Sequence, residues 1–305
     1  MTDAMNTKSV DTHQQGAGDP SNDQPLISSV LPIDVLFEEY KNNSSYAAKV
    51  KWLKDKSGFV GMRKLRGDGN CFYRAFGFAY VQTILSMDDR PLHHFTTQHL
   101  ESTIEMLKHA GTEEEIAREF FEPLRLLMNM IQSTDPTVPS LTEAKLVEVF
   151  NDPEQSNSIV VYLRLVTSAF LKLNANDYTP FLVMDEGRDP PTMQDFCTGE
   201  VEAFGKDADH LQITALCTAL KVSLDVVYLS RSDAPPEEDP AKDPGNAQLS
   251  ESTAQDANAC DVVRFDIDQG QMFGLGPLLY RPGHFDLLVG KGPAESPDID
   301  ISTRS

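Results

Sequence analysis

Gly67-Asp68-Gly69-Asn70-Cys71-Phe72-Tyr73-Arg74-Ala75-Phe76 is the stretch on which the fold turns. Two glycines within three residues make a tight, permissive turn. Beyond it Phe72, Phe76, Ala79, Tyr80 and Ile84 recur at helical spacing, which predicts a helix with a buried face. Cys71 then falls in the first turn of that helix. Unpaired N–H groups and the positive end of the helix dipole favour a thiolate there, the form a nucleophilic cysteine needs. The same turn offers backbone N–H groups, those of Asp68 and Cys71, to an oxyanion. A plain buried cysteine at a helix start fits these residues equally well.

A second stretch narrows the choice. Tyr280-Arg281-Pro282-Gly283-His284-Phe285-Asp286 places a Pro-Gly turn between two strand-like runs. Side chains alternate along a strand, so His284 and Asp286 share one face, while Phe285, Leu287 and Val289 point the other way, into a core. An aspartate two residues from a histidine can accept a hydrogen bond from the imidazole and fix its tautomer. The competing explanation is the polar face of an edge strand. The remaining histidines carry less: His93, His94, His99 and His109 read as solvated or capping residues, and His210 as capping and packing. Cys217 reads as core, Cys197 is ambiguous, and Cys260 has no base near it in sequence.

Working outward, Leu31, Val35, Leu36 and Tyr40, then Val50, Trp52 and Leu53, predict short leading helices. Thr112 with Glu115 and Ser140 with Glu143 have capping-box spacing, and Pro123 is expected to kink or split the helix it falls in. Ser156 to Leu173 is apolar on several faces and predicts a central buried helix, and Asp209 to Leu220 another. Val222 to Leu229, Val262 to Phe265, Leu278 to Tyr280 and His284 to Val289 read as strands. The expectation is an α+β domain, helices first, with a small sheet assembled from the C-terminal third. Residues 1–25 and 291–305 are polar and read as flexible tails; residues 232–259 are acidic and proline-rich and read as a disordered insert in a domain spanning 26–290.

The whole chain excludes several classes of function. A formal net charge of −21 opposes non-specific nucleic-acid binding, which requires a basic surface. No apolar run is long enough to span a bilayer, and the first residues lack the apolar core of a signal peptide. The expected location is therefore cytoplasmic or also nuclear. Four cysteines without CxxC spacing predict free thiols rather than a zinc site, so no metal or organic cofactor is expected.

Taken together, these stretches resemble the otubains, a branch of the OTU-type deubiquitinases. Gly67 to Phe76 resembles their catalytic cysteine motif, and Leu278 to Leu287 (LLYRPGHFDL) their histidine motif. Tyr162 to Ser168, Asp209-His210 with Ile213 to Leu216, and the leading helices add support. The resemblance implies a papain-like cysteine protease fold that removes ubiquitin from lysine side chains. It implies Cys71 as nucleophile, His284 as general base and acid, Asp286 as its orienting partner, and Asp68 as an active-site position that shapes the loop and oxyanion site. The implied partners are ubiquitin and polyubiquitin chains, possible further ones being ubiquitin-conjugating enzymes, and the expected state is a monomer. One branch of the family suggests a preference for the compact, proteasome-targeting chain. The rival function is a module that binds ubiquitin or a conjugating enzyme without cleaving. Three departures from the family pattern stand out: Phe285 replaces a frequent tyrosine; Gln212 replaces a frequent histidine at a position expected to touch ubiquitin; and the acidic insert at 232–259 is longer than expected, with Val262 to Pro277 matching poorly near where the family holds a ubiquitin.

Overall fold

The computed structural model describes residues 24–290 except 56, 183–190, 230–258 and 268. The tails at 1–25 and 291–305 and the acidic insert at 232–259 therefore lie outside the described residues, save Gln24, Pro25 and Ala259.

Six strands form one mixed sheet in the order β1-β2-β6-β5-β3-β4. They are β1 (Leu31–Pro32), β2 (Phe59–Arg63), β3 (Val222–Tyr228), β4 (Asp261–Phe265), β5 (Phe273–Arg281) and β6 (His284–Gly290). Only β3 and β5 pair in parallel; every other neighbour is antiparallel. The sheet thus corrects the expectation of strands drawn from the C-terminal third alone, because β1 and β2 come from the N-terminal end. β2 lies against β6 (Met62 opposite Leu288), which makes β6 an internal strand. His284 and Asp286 accordingly do not sit on a polar sheet edge. Two bulk apolar positions in β2, Phe59 and Met62, were the available signal for that strand, but Gly61 between them obscures the alternation.

Helices cover both faces of the sheet. On one side lie α3 (Cys71–Ser86), α4 (Arg90–His109), α5 (Glu114–Gln132), α6 (Glu143–Asn151), α7 (Pro153–Leu173) and α10 (His210–Leu220). On the other are α1 (Asp34–Tyr40) and α2 (Ser44–Asp55), whose Leu36, Val50 and Leu53 meet Met62, Val227, Leu279 and Leu288. Two short helices, α8 (Ala175–Tyr178) and α9 (Met193–Phe196), lead to a π-helical stretch at Cys197–Val201 beside α7. β6 feeds both layers: Phe285 and Leu287 enter the larger core, Leu288 the smaller. No single helix among the described residues is long and apolar enough to cross a membrane.

Three local expectations need correction. α5 is not split at Pro123 but continues through it. Proline in a helix interior costs roughly 3 kcal/mol. α5 buries Ala117, Phe121, Leu124, Leu127 and Met128 along one stripe, and each large apolar side chain so buried contributes about 1.5–3 kcal/mol, so packing wins. The helix also begins at Glu114 without a side-chain cap, rather than through Thr112. α6 is capped by Thr142, whose hydroxyl accepts from the Lys145 N–H at 3.2 Å, rather than by Ser140. Of the histidines expected to be solvated or capping, His93 and His99 take the capping role: buried His93 has Nε2 2.8 Å from the Met87 carbonyl at the end of α3, and half-buried His99 has Nε2 2.9 Å from the Ala219 carbonyl in the last turn of α10.

Candidate active site

α3 is the helix the Gly67–Asn70 turn predicts, and it begins at Cys71. It is buried nearly all round, from Cys71 to Val81 and at Ile84, as a central helix must be when apolar on every face. The turn ahead of it is fixed from several directions. Asp68 Oδ1 accepts the Asn70 N–H at 3.0 Å, and both carboxylate oxygens meet the fully buried Arg74 guanidinium at 3.0 Å. Arg74 in turn donates to Ser156 Oγ and Asn157 Oδ1 on α7. Burial alone would push the Asp68 carboxyl up, but the Arg74 charge and hydrogen bond hold it below the usual carboxylate range.

Gly69 has φ +71°, and a Cβ there would fall 1.9 Å from the Gly205 carbonyl oxygen. The residue is glycine for two reasons: its left-handed backbone, and the approach of the 202–208 segment. That segment is tied down by Asn70 Oδ1, which accepts from the Gly205 N–H at 2.9 Å and from Arg164 Nη2 at 2.8 Å. Arg164, wholly buried in α7, also donates to the carbonyls of Gly69, Val201 and Lys206 and lies over the Tyr73 ring.

His284 opens β6 directly after the Pro282-Gly283 turn, where Gly283 takes φ +73°. A proline followed by a glycine of positive φ is the chemistry of a type II turn. The ring has Cys71 near it on one side, close enough for the sulfur to act on the imidazole charge. Its Nε2 lies 3.0 Å from Asp286 Oδ1 on the other, and its Nδ1 faces Gly67. Burial works against the charged imidazole, but Asp286 and the Cys71 sulfur overcome it and raise its pKa to about 9. Asp286 is completely buried. Burial would raise its carboxyl, yet His284, the Arg281 charge and the Leu65 N–H (3.0 Å) bring it below the ordinary value. Arg281 Nη2 approaches Asp286 Oδ2 to 2.5 Å as an ion pair, out of line for a hydrogen bond.

The structure therefore brings together Cys71, His284 and Asp286, and sets Asp68 beside them on the same turn. One donor expected for an oxyanion is engaged elsewhere: the Asp68 N–H donates to the Arg66 carbonyl at 3.1 Å across a tight turn. The Cys71 N–H, at the first position of α3, lies among the donors that a helix leaves without an internal partner. Cys197, Cys217 and Cys260 are buried free thiols pushed upward by burial, which disfavours thiolate chemistry. His210 packs against Phe265, but Asp209 provides the cap of α10 in a box with Gln212. Gln212 is 4% exposed, so it serves that cap and offers little surface to a partner. Phe285 packs edge-on to Phe72 and beside Tyr280. Among the described residues no group of His, Cys, Asp and Glu has the arrangement of a metal site. A groove beside His284 is lined by Gln24, Pro25, Ser28, Tyr40, Lys64 and Gly67.

Sequence reasoning assigned no role to Arg74, Arg164 or Arg281. The signal was present: an arginine three residues after Cys71 and another inside the apolar run at 159–166. Arginine is almost never fully buried unless paired, so each implies a buried acceptor.

A buried carboxylate, an imidazole and a cysteine at a helix start, on an α+β scaffold, are the makings of a cysteine hydrolase. Comparison with known proteins names the family. Residues 19–290 match the model for peptidase family C65, otubain. The chain is 37% identical to human ubiquitin thioesterase OTUB2 over 208 residues, covering 68% of this chain and 82% of that protein. It is 32% identical over 273 residues to the OVARIAN TUMOR DOMAIN-containing deubiquitinating enzyme 1 of Arabidopsis thaliana, with coverage of 88% and 81%. A solved complex of ceOTUB1 with ubiquitin aldehyde and UBC13~Ub superposes with a TM-score of 0.70 at 28% identity, covering 89% of this chain and 96% of that one. The chain belongs to the otubain family and has its fold.

Proposed function

We propose that this protein is a deubiquitinating cysteine protease that hydrolyses isopeptide or thioester bonds at the C-terminus of ubiquitin. The observation that carries the proposal is the placing of His284 with Nε2 3.0 Å from the buried Asp286 carboxylate and with Cys71 near enough to act on its charge. With its pKa near 9, the ring holds a proton at neutral pH, and a protonated ring favours a thiolate on the sulfur it faces.

The Cys71 thiolate attacks the carbonyl carbon of ubiquitin's terminal glycine. The tetrahedral intermediate places its oxyanion toward the start of α3, within reach of the Cys71 N–H. Collapse breaks the C–N bond, and the His284 proton passes to the departing lysine amine. Water then attacks the thioester; His284 takes a proton from it and the thiolate leaves. Asp286 holds the imidazolium throughout. Asp68, fixed by Arg74, shapes the turn and takes no proton. The cycle needs no metal or organic cofactor.

Ubiquitin, polyubiquitin and ubiquitin-conjugating enzymes are the proposed partners, supported by the ubiquitin aldehyde and UBC13~Ub in the complex of the related ceOTUB1. Within that function we further propose a preference for the compact, proteasome-targeting chain, and residence in the cytoplasm or also the nucleus. A panel of di-ubiquitins tests both activity and linkage. Cleavage of the compact type first supports the proposal. Equal cleavage of all types, or faster cleavage of the extended type, refutes the preference. Ubiquitin binding without cleavage of any member would favour the non-catalytic module instead, and cell fractionation tests the location.

A further inference from the structure

The surroundings of Asp286 are divided between its two oxygens. Oδ1 takes both His284 Nε2 and the Leu65 N–H, each at 3.0 Å. Oδ2 is buried and faces the Arg281 guanidinium. Arg281 lies directly opposite His284 in the β5–β6 ladder, with Leu279 opposite Asp286. Opposed residues share a face, so Arg281, His284 and Asp286 are together on the side that α1 covers, and the diagonal from Arg281 to Asp286 is within reach of a long side chain. The guanidinium is itself anchored from α1: Nη1 donates to Glu39 Oε2 at 3.0 Å, with Tyr40 of the same helix near by. Lys64 pairs with the other Glu39 oxygen.

We infer that Arg281, clamped by Glu39 of α1, is a positioning residue that holds the plane of the Asp286 carboxylate for His284. The inference rests on Cys71, His284 and Asp286 acting as proposed above. A carboxylate turns about a soft terminal torsion and its two oxygens are equivalent, so what must be fixed is the plane of the group. The Arg281 guanidinium, a planar fork held at its far end by Glu39, fixes that plane from the Oδ2 side. The charged or titratable groups around the imidazole are Asp286 from β6, Arg281 from β5 and Cys71 from α3, with Glu39 and Tyr40 of α1 and Lys64 after β2 one layer out. As a bare positive charge, Arg281 would disfavour imidazolium. As a clamp on the carboxylate, it favours imidazolium. The two roles shift the pH profile in opposite directions.

The test is kcat/KM of the full chain on a ubiquitin C-terminal amide across acid to alkaline pH. Arg281→Gln is expected to lose roughly ten- to a hundred-fold, as when partners that orient catalytic ligands are removed, with the alkaline limb moved to lower pH. Arg281→Lys should recover part of the loss. Arg281→Gln combined with Asp286→Asn should be no worse than Asp286→Asn alone, because both act through one carboxylate. Loss with an unmoved limb, an upward shift, or a double variant that multiplies the two losses overturns the inference. If Arg281→Gln does not fold, the half-exposed Glu39→Gln decides: a smaller shift in the same direction supports the clamp, and an unmoved limb overturns it. If Asp286→Asn itself costs nothing, the triad assignment fails instead, a result distinct from failure of the clamp.

Discussion

Alanine at Gly69 is expected to destabilise the protein by about 3–6 kcal/mol. A left-handed backbone with a Cβ costs roughly 1–2 kcal/mol, and Gly69 has φ +71°. The new Cβ would also meet the Gly205 carbonyl oxygen at 1.9 Å, backbone against backbone, so the 202–208 segment must move. Its movement breaks the Gly205 N–H bond to Asn70 and the Arg164 bond to the Lys206 carbonyl. A neutral hydrogen bond is worth about 1 kcal/mol and one to a charged group about 1.5–3 kcal/mol. For a domain of this size each kcal/mol lowers Tm by roughly 2–4 °C, so a fall of about 6–24 °C is expected. The neighbouring glycines calibrate it. Gly205→Ala meets the Asp68 carbonyl only at 3.5 Å but has φ +83°, so it should lose about 1–2 kcal/mol. Gly67→Ala has no positive φ, and its Cβ would rest 3.7 Å from His284 Nδ1, an ordinary contact; its stability should stay close to wild type. Thermal and urea unfolding of the three variants measure the series. Gly69→Ala within 1 kcal/mol of wild type, or Gly67→Ala as damaging as Gly69→Ala, would refute the role given to the 202–208 segment.

Other outcomes follow from the same geometry. Cys71→Ala should abolish turnover and His284→Ala nearly so, while Asp286→Asn should lose roughly ten- to a thousand-fold, below the ~10⁴ of the corresponding serine-protease change; steady-state cleavage of a ubiquitin amide, with binding measured separately, ranks them. His284 has a folded pKa of about 9, above its ordinary 6.5, so its stabilising contribution is complete below about pH 6.5 and lost as pH rises through about 9. Thermal unfolding should show wild type losing stability over that window and His284→Ala losing less; equal slopes would contradict the shift. A chelator should leave the rate unchanged and a thiol alkylator should abolish it. Activity lost to chelator and restored by zinc would sink the proposed mechanism.

Much of the site was legible in sequence because its reactive atoms come from two short segments. The glycine turn, the helix after it and the strand bearing His284 and Asp286 follow from local spacing. What was not legible depends on partners far away in the chain. Arg74 finds Ser156 and Asn157 more than eighty residues on, and Arg281 finds Glu39 across 242; no local pattern encodes such pairings. β2 escaped notice for a related reason: Phe59, Gly61, Met62 and Arg63 are buried while an apolar residue, Val60, is the exposed one, so the strand lacks the alternation of apolar and polar residues that marks a half-exposed strand. The engaged Asp68 N–H is likewise a matter of backbone conformation, which no side chain announces.

The most direct test of the central claim uses the four cysteines. All are buried free thiols, and of the four only Cys71 bears on the His284 charge. The protein is incubated with ubiquitin carrying a C-terminal electrophile, and the adduct is mapped by peptide mass spectrometry. A single ubiquitin joined to Cys71, and no adduct in Cys71→Ala, is the expected result. An adduct on Cys197, Cys217 or Cys260, or undiminished capture by Cys71→Ala, would contradict it.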